Sequence, residues 1–196
     1  MTMKLRMIAL GIGMATATTS IDTHAATLIV DVAGARSVST RGGPDNSRQA
    51  FAIGAGARVT AISYGVSITA NDPSFLSEAS VALFSSISPA SGISLTPGVD
   101  DNFSGLSAYS NAFDLTALGL DFVVGDDGLL SLEYFETVVD GGLPDSIWNS
   151  GTITVTYDAV AAAVPEPATW GMMTLGLALV AGTMRRRTRV SAMVRH

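Results

Sequence analysis

Residues 118–135 read LGLDFVVGDDGLLSLEYF, and this stretch carries the clearest strand pattern in the chain. Apolar residues alternate with other residues before and after a central Gly-Asp-Asp-Gly segment, which is the period of strands with one buried face. An Asp-Gly pair at the tip supplies the positive φ angles that tight hairpin turns require. The stretch therefore predicts an antiparallel β-hairpin. Its alternating residues are Leu118, Leu120, Phe122 and Val124 before the turn, and Leu130, Leu132 and Tyr134 after it.

Similar patterns recur on both sides of this segment. We expect strands at Thr27–Val32, Arg58–Thr69, Glu78–Ile87, Phe103–Tyr109 and Thr152–Asp158. The segment Ser88–Asn102 is rich in Ser, Pro, Gly and Asp, and it predicts a long loop with one short strand near Ile93. Many short strands without a helical period are typical of an all-β fold. The sequence therefore predicts an antiparallel β-sandwich, with a jelly roll as one form of it.

The N-terminal residues 1–25 have the organisation of a secretory signal peptide. The basic residues Lys4 and Arg6 precede a short apolar run that ends at Ala17. Small residues permit cleavage after Ala17 or after Ala25. We favour cleavage after Ala25, because strand-like sequence begins directly afterwards. Export would then use the Sec translocon and signal peptidase, and residues 26–160 would form the exported domain.

Three different pieces follow one another near the C-terminus. Residues 161–167 form a spacer that ends in Pro-Glu-Pro, which is stiff and extended because proline restricts its own φ and the residue before it. The uncharged run 168–184 would be about 25 Å long as a helix, enough for a thin bilayer. The basic tail 185–196 should remain in the cytoplasm by the positive-inside rule. The defining residues are Pro165, Glu166, Pro167, Trp170, Arg185, Arg186 and Arg187.

In this order, the segment from Val164 to Arg189 resembles the PEP-CTERM sorting signal of Gram-negative bacteria, in its Pro-Glu-Pro-Ala-Thr-Trp-x-Met-Met variant. Gly171 departs from the alanine that is more usual at its position. The resemblance implies that an exosortase, a membrane-embedded cysteine protease-like enzyme, recognises the signal and removes the tail. It also implies an intermediate anchored in the inner membrane and a final location at the cell surface or outside the cell.

The charge of the predicted exported domain is strongly negative. Outside the two targeting segments the chain has four arginines, no lysine and fifteen acidic residues, so the balance is 4 − 15 = −11. Such a domain repels nucleic acid, and we expect none as a partner. The chain contains no cysteine, so no disulfide stabilises the exported fold.

The same inventory excludes several classes of enzyme. The chain has two histidines, His24 and His196, and both lie in segments expected to be removed. Without His, Cys or Lys, the domain has no Ser-His-Asp or Cys-His machinery and no Schiff-base lysine. Carboxylate chemistry remains, but Glu133 and Glu136 are separated by an odd number of residues and would face opposite sides of a strand. We therefore expect no enzymatic activity.

Calcium is the cofactor that the acidic loops leave open. Calcium binds six to eight oxygen ligands, which often come from Asp-rich loops. The candidate ligands are Asp100, Asp101, Asp126 and Asp127, and Asp140–Asp145 is a third acidic loop. None of these loops has the spacing of a known calcium motif. The alternative is that acidic turns only keep an exported protein soluble, and this alternative is the one we expect.

Two functions therefore remain open. The first is a non-enzymatic protein of the cell surface or extracellular matrix, associated with exopolysaccharide or biofilm. The second is a calcium-dependent carbohydrate-binding or carbohydrate-active β-sandwich. Saccharide sites usually present exposed aromatic side chains. We expect Trp148 in the polar loop Asp145–Gly151, where its exposure would favour the second function.

Overall fold

A computed structural model describes residues 23–141, 144–160 and 171–178. Residues Asp22–Ala161 form one compact unit, and its described part consists of strands and one short helix. The elements are β1 (Thr23–Asp31), β2 (Ala35–Ser37), β3 (Arg48–Ala52), β4 (Arg58–Ala70), β5 (Ala79–Ser85), β6 (Ser88–Leu95), β7 (Gly105–Asp114), α1 (Leu115–Leu118), β8 (Phe122–Val123), β9 (Leu129–Glu136) and β10 (Ser146–Val160).

The strands form two antiparallel sheets. Sheet A has the order β1-β10-β4-β7, with the short strands β2 and β8 paired to β10 and β4. Sheet B has the order β3-β9-β5-β6. A single cluster of buried apolar side chains contains residues from both sheets. The all-β, antiparallel sandwich predicted from the sequence is confirmed.

The order of the long strands is that of a jelly roll. When β2 and β8 are set aside, the first strand pairs with the last, the second with the seventh, the third with the sixth, and the fourth with the fifth. These pairs are β1 with β10, β3 with β9, β4 with β7, and β5 with β6. The strands therefore pair as in one long antiparallel hairpin, and this hairpin is wrapped around one core, as in jelly rolls.

Strand β4 shows how the sequence determines the two faces of sheet A. Its buried residues Ile62, Val66 and Ile68 alternate with half-buried polar residues. Leu83 and Leu132 of sheet B belong to the same buried cluster. Full burial of such a side chain stabilises the fold by about 1.5–3 kcal/mol. Because the chain contains no cysteine, the core has to stabilise the fold without disulfides.

The predicted hairpin at residues 118–135 is wrong. Its two arms belong to different sheets, because Phe122 and Val123 pair with Val59 and Arg58 of β4, whereas β9 pairs with β3 and β5. Leu118 ends helix α1 and is exposed. The Gly-Asp-Asp-Gly turn therefore carries the chain from one sheet to the other. Alternation predicted correctly that both arms bury apolar residues, but it contains no information about which strands they pair with.

The predicted loop at Ser88–Asn102 is also partly wrong. Its first half is the eight-residue strand β6, which pairs with β5 at the border of sheet B. A proline interrupts a strand only where its missing N–H would be needed, and border strands tolerate it. Pro89 lies at such a border position, so tertiary pairing outweighs the weak strand propensity of this segment.

Much of the sequence prediction for the two ends concerns residues outside the described ones. Residues 171–178 are helical, within the predicted span 168–184. No helix in the described ranges is both long and apolar enough to cross a bilayer. Ala25 lies inside β1, so cleavage after it would leave Ala26–Asp31 of this strand. The remaining predictions outside the described ranges are residues 1–22, the spacer 161–167 with Pro165, Glu166 and Pro167, then Trp170, and the tail 185–196 with Arg185, Arg186 and Arg187.

Candidate functional site

The outer face of sheet B carries a sizeable cavity. Strand register places Ala50 of β3, Ser131 of β9 and Phe84 of β5 side by side. Because side chains alternate along a strand, these residues face away from the core that Leu130 and Leu132 enter. Together with the loop before β3 they line a cavity of about 630 Å³, which we call the Arg41 groove. Its main lining residues are Arg41, Arg48, Ala50, Phe84, Pro89, Ser131 and Glu133.

The loop that forms one wall of the groove is held in place by Asn46. The Asn46 side-chain oxygen accepts hydrogen bonds from the backbone N–H groups of Val38 and Ser39, at 3.1 and 2.9 Å. Its amide donates to the Thr40 carbonyl at 3.0 Å and to Glu133 Oε1 at 2.9 Å. These four bonds connect the loop to itself and to β9, so the wall is ordered without an apolar core of its own.

Glu133 is buried at the base of this wall and is ionised. Its Oε1 accepts hydrogen bonds from the Gly42 backbone N–H at 2.7 Å, from Asn46, and from Arg48 Nη2 at 3.1 Å. Burial opposes ionisation, but the bonds from Asn46, Gly42 and Arg48 outweigh it and hold the pKa of Glu133 below its ordinary value. The negative charge of Glu133 is therefore already balanced by its neighbours.

Arg41 is fixed over the other wall. Its guanidinium carbon lies 5.0 Å from the ring centroid of Phe84, which is a cation–π distance. Arg41 Nη2 also donates to the Pro89 carbonyl at 2.7 Å. Among the described residues Arg41 makes no ion pair, since the two pairs found there are Arg48 with Glu133 and Arg58 with Asp121. The groove thus contains a positioned guanidinium whose charge is not balanced by a carboxylate.

A second polar feature lies between the sheets, at the end of β9. Glu136 and Asp145 are fully buried, and Ser146 Oγ donates to Glu136 Oε1 at 2.5 Å. Glu136 Oε2 and both carboxylate oxygens of Asp145 have no hydrogen-bond partner among the residues that the structure describes. Glu78 lies close by, where its Oε2 accepts from Ser74 Oγ and the Phe75 N–H, both at 2.9 Å. We call Glu78, Glu136 and Asp145 the acidic cluster.

Two members of the acidic cluster, Glu136 and Asp145, hold protons more tightly than free carboxyl groups do. Burial is the largest cause and raises the pKa of Glu136 to about 8, although the Ser146 hydrogen bond opposes it. The negative charges of Asp145 and Glu78 raise this pKa further. Burial also raises the pKa of Asp145. At neutral pH Glu136 is therefore largely protonated and uncharged.

The structure does not bring the predicted calcium ligands together. Asp100 and Asp126 are exposed, Asp101 accepts a hydrogen bond from the Tyr109 hydroxyl at 2.6 Å, and Asp127 is bonded to Ser86. Within residues 23–141, 144–160 and 171–178, no group of three or more acidic or histidine side chains is arranged to hold a metal ion. This finding applies to the acidic cluster as well.

Glu133 and Glu136 lie on opposite faces of β9, as their odd spacing predicts. Glu133 contacts Arg48 on the outer face of sheet B, whereas Glu136 contacts Ser146 of sheet A across the core. The two carboxyl groups therefore do not share one open site.

The loop position expected for Trp148 is wrong. Trp148 lies in β10 and is fully buried, with its ring in edge contact with Tyr134 at a centroid distance of 5.1 Å. Its indole N–H donates to Ser37 Oγ at 3.2 Å. The exposure that would have favoured a stacking platform for sugars is absent at this residue. The flanking Asp, Asn, Ser and Gly residues suggested a loop, but the long pairing of β10 with β4 outweighs their propensity.

Sequence reasoning missed the Arg41 groove because its parts come from distant segments. Arg41 lies in a polar, glycine-rich stretch without a strand pattern, and Phe84 lies in a largely apolar strand. One signal was present: two of the four arginines in a very acidic domain lie within eight positions of each other, at Arg41 and Arg48.

Comparisons with known proteins identify the C-terminal segment. Residues 163–187 match the PEP-CTERM protein-sorting motif. This match confirms the resemblance drawn from the Pro-Glu-Pro segment, the apolar run and the arginine cluster. The chain therefore carries a PEP-CTERM sorting motif in its C-terminal part, and the motif does not extend into the β-sandwich.

Several solved structures of viral proteins are similar to this chain at low sequence identity. The VP2 subviral particle of infectious bursal disease virus is 14% identical with a TM-score of 0.31, over 81% of this chain and 42% of that one. The Tobacco streak virus coat protein dimer is 15% identical with a TM-score of 0.30, over 72% and 91%. Desmodium yellow mottle tymovirus is 9% identical with a TM-score of 0.27, over 85% and 97%. This chain thus spans less than half of the bursal disease virus chain. No curated protein sequence matches the chain.

Proposed function

We propose that this PEP-CTERM protein is a non-enzymatic component of the cell surface or extracellular matrix, which associates there with exopolysaccharide. The sorting motif at residues 163–187 carries the proposal, because it implies an exosortase-sorted extracellular protein. Such sorting passes through an intermediate anchored in the membrane before release to the surface. Association with exopolysaccharide and biofilm is the further step that we add.

The composition of the domain supports a role without catalysis. Outside the two targeting segments there is no His, Cys or Lys to act as nucleophile or general base. The two acidic residues on β9, Glu133 and Glu136, lie on opposite faces of their sheet. Glycosidases instead place two carboxyl groups on either side of the glycosidic bond that is cleaved. We expect no turnover of polysaccharide, ester or peptide substrates above background. Turnover that Glu133→Gln or Glu136→Gln abolishes would contradict this.

Processing of the tail is the first part to test. Mass spectrometry of the protein from its native host should detect no peptide from Leu175 onwards, because exosortase removes the tail. Recovery of the intact C-terminus at full abundance on the cell surface would show that the segment is a permanent anchor instead.

Association with the matrix is the second part to test. Cells and matrix should be separated in the native host and in a strain that makes no exopolysaccharide. We expect the processed protein in the matrix fraction of the first strain and in the medium of the second. An unchanged distribution between the two strains would refute the association and leave the sorting intact.

A carbohydrate-binding β-sandwich is the second candidate, and the Arg41 groove is the observation that favours it. A groove of about 630 Å³ lies within the range of small-ligand sites, about 300–1,000 Å³. Calcium dependence belongs to this candidate as a separate test. If calcium is required, the binding of saccharide should weaken when a chelator removes calcium. Unchanged binding would show that this candidate function does not depend on calcium.

A further inference from the structure

The Arg41 groove differs in charge from the domain that carries it. The domain has a net charge of −11, from four arginines and fifteen acidic residues, and so repels anions over most of its surface. The groove contains two of the four arginines and one acidic residue, Glu133. Arg48 pairs with Glu133, and Arg41 has no carboxylate partner among the described residues. The groove therefore offers one unbalanced positive charge in an acidic protein.

The guanidinium of Arg41 is held ready for a ligand. One nitrogen donates to Pro89 and the group lies over Phe84, so its position is fixed before any ligand arrives. The other guanidinium donors have no partner among the described residues. An arginine fork matches the two oxygens of a carboxylate, and a side chain that is already ordered loses less entropy on binding.

The rest of the groove suits a ligand that carries both hydroxyl groups and apolar faces. Ala50 and Pro89 are exposed and apolar, whereas Ser131 is half-buried. Gln49 is not free for this purpose, because its amide nitrogen donates to the Asp31 carbonyl and its oxygen accepts from the Tyr134 hydroxyl. The polar groups available beside Arg41 are thus the Ser131 hydroxyl and the remaining Arg48 donors.

We propose that the Arg41 groove binds an acidic saccharide, with the sugar carboxylate paired to Arg41 and its ring lying over Ala50 and Pro89. The proposal rests on the proposed function, and it adds the binding face and the chemical class of the polysaccharide. Neutral sugars would lose the ion pair. Simple anions would lack the contacts along the groove.

The test compares an acidic probe with its neutral form. Trigalacturonate and its trimethyl ester have the same sugar backbone, but the ester has no charge. Isothermal titration with the full chain in mild detergent should show that trigalacturonate binds at least tenfold more tightly than the ester, and that salt weakens this binding. Equal affinity for the two probes, or no binding of trigalacturonate, would overturn the proposal.

Two variants locate the site. Arg41→Gln should lower the affinity for trigalacturonate at least tenfold, whereas Arg58→Gln should leave it unchanged, because Arg58 pairs with Asp121 beside sheet A. An equal loss of affinity in both variants would indicate general electrostatic attraction of trigalacturonate without a specific site at Arg41, and it would overturn the proposal. If Arg41→Gln does not fold, Arg41→Lys keeps the charge without the fork and should bind more weakly than wild type. Unaltered binding by the lysine variant would refute the role of the fork.

The proposal and the proposed function fail separately. Retention of the wild-type protein in the matrix of its host, without binding of trigalacturonate, would refute the acidic-saccharide site alone. Tight binding of trigalacturonate by a protein that the matrix does not retain would refute the matrix association alone.

Discussion

Replacing Glu136 by glutamine should stabilise the β-sandwich at alkaline pH and remove most of the pH dependence that this residue causes. Glutamine keeps the shape of the side chain and can accept the bond that Ser146 donates to Oε1. It removes a group that has to be buried either as a neutral acid or as an unpaired anion. Since Glu136 is fully buried and its Oε2 has no partner in the described part of the chain, the anion is the costly form.

The sign follows from the raised pKa. A carboxyl group whose pKa is higher in the folded than in the unfolded state favours folding when it is protonated. The contribution of Glu136 is therefore fully present below pH 4.5 and is lost as the pH rises to about 8. This change corresponds to at most about 5 kcal/mol, at about 1.4 kcal/mol for each pH unit. The pKa of Asp145 is also raised, so this residue acts in the same direction.

The assay is urea denaturation of the wild type and of Glu136→Gln at pH 5 and at pH 9. Wild type should lose several kcal/mol of unfolding free energy between these pH values, and the variant should lose much less. The exposed turn residue Asp126 provides a control, since Asp126→Asn should show the wild-type profile. A Glu136→Gln protein that is as pH-dependent as wild type, or less stable than wild type at pH 9, would refute this account of the acidic cluster.

Three further predictions follow from other residues. Glu133→Gln should lower the free energy of unfolding by about 1–3 kcal/mol in urea denaturation at pH 7. This loss should shrink below pH 4.5, because the lowered pKa of Glu133 favours folding only where the carboxyl group is ionised. An equal loss at pH 7 and below pH 4.5 would contradict this prediction. Trp148→Ala should cost about 3–5 kcal/mol in the same measurement, and a cost below about 1 kcal/mol would contradict its burial. Calcium and sodium at matched ionic strength should raise the melting temperature equally, because both screen the repulsion between acidic side chains. A saturating, calcium-specific shift that Asp126→Asn removes would refute the idea that screening is the only effect.

The sequence predicted the fold class because alternation reports directly on burial. In β4 and β5 the positions of Ile62, Val66 and Leu83 showed which side chains face a core. Alternation does not report pairing, and this is why residues 118–135 were interpreted as one hairpin although they connect two sheets. Pairing depends on contacts between segments that are distant in sequence, such as β4 with β10. A single sequence contains little information about such contacts.

The polar sites were harder to predict for a related reason. The acidic turns at Asp100 and Asp126 are conspicuous in the sequence, but the structure leaves both side chains exposed. Glu136 and Asp145 are candidates in the sequence, but their sequence neighbours do not indicate that both are buried, because each of them follows ordinary strand or loop residues. Burial of a charge depends on what packs over it, and here the cover comes from Ser146 in the opposite sheet. The sorting signal could be predicted because all its pieces are adjacent in the chain.

The predicted signal peptide and the sorting motif are joined to neighbouring strand ends of sheet A. The first residue of β1 pairs with the last residue of β10, as Thr23 with Val160, and His24 pairs with Ala159. The pairing of β10 with β4 ends two residues before Val160, at Asp158 with Arg58. Ala159 and Val160 are thus held in sheet A by β1 alone. Cleavage after Ala25 would remove both of their partners, so signal-peptide removal would leave Ala159 and Val160 without a strand partner just ahead of the sorting motif.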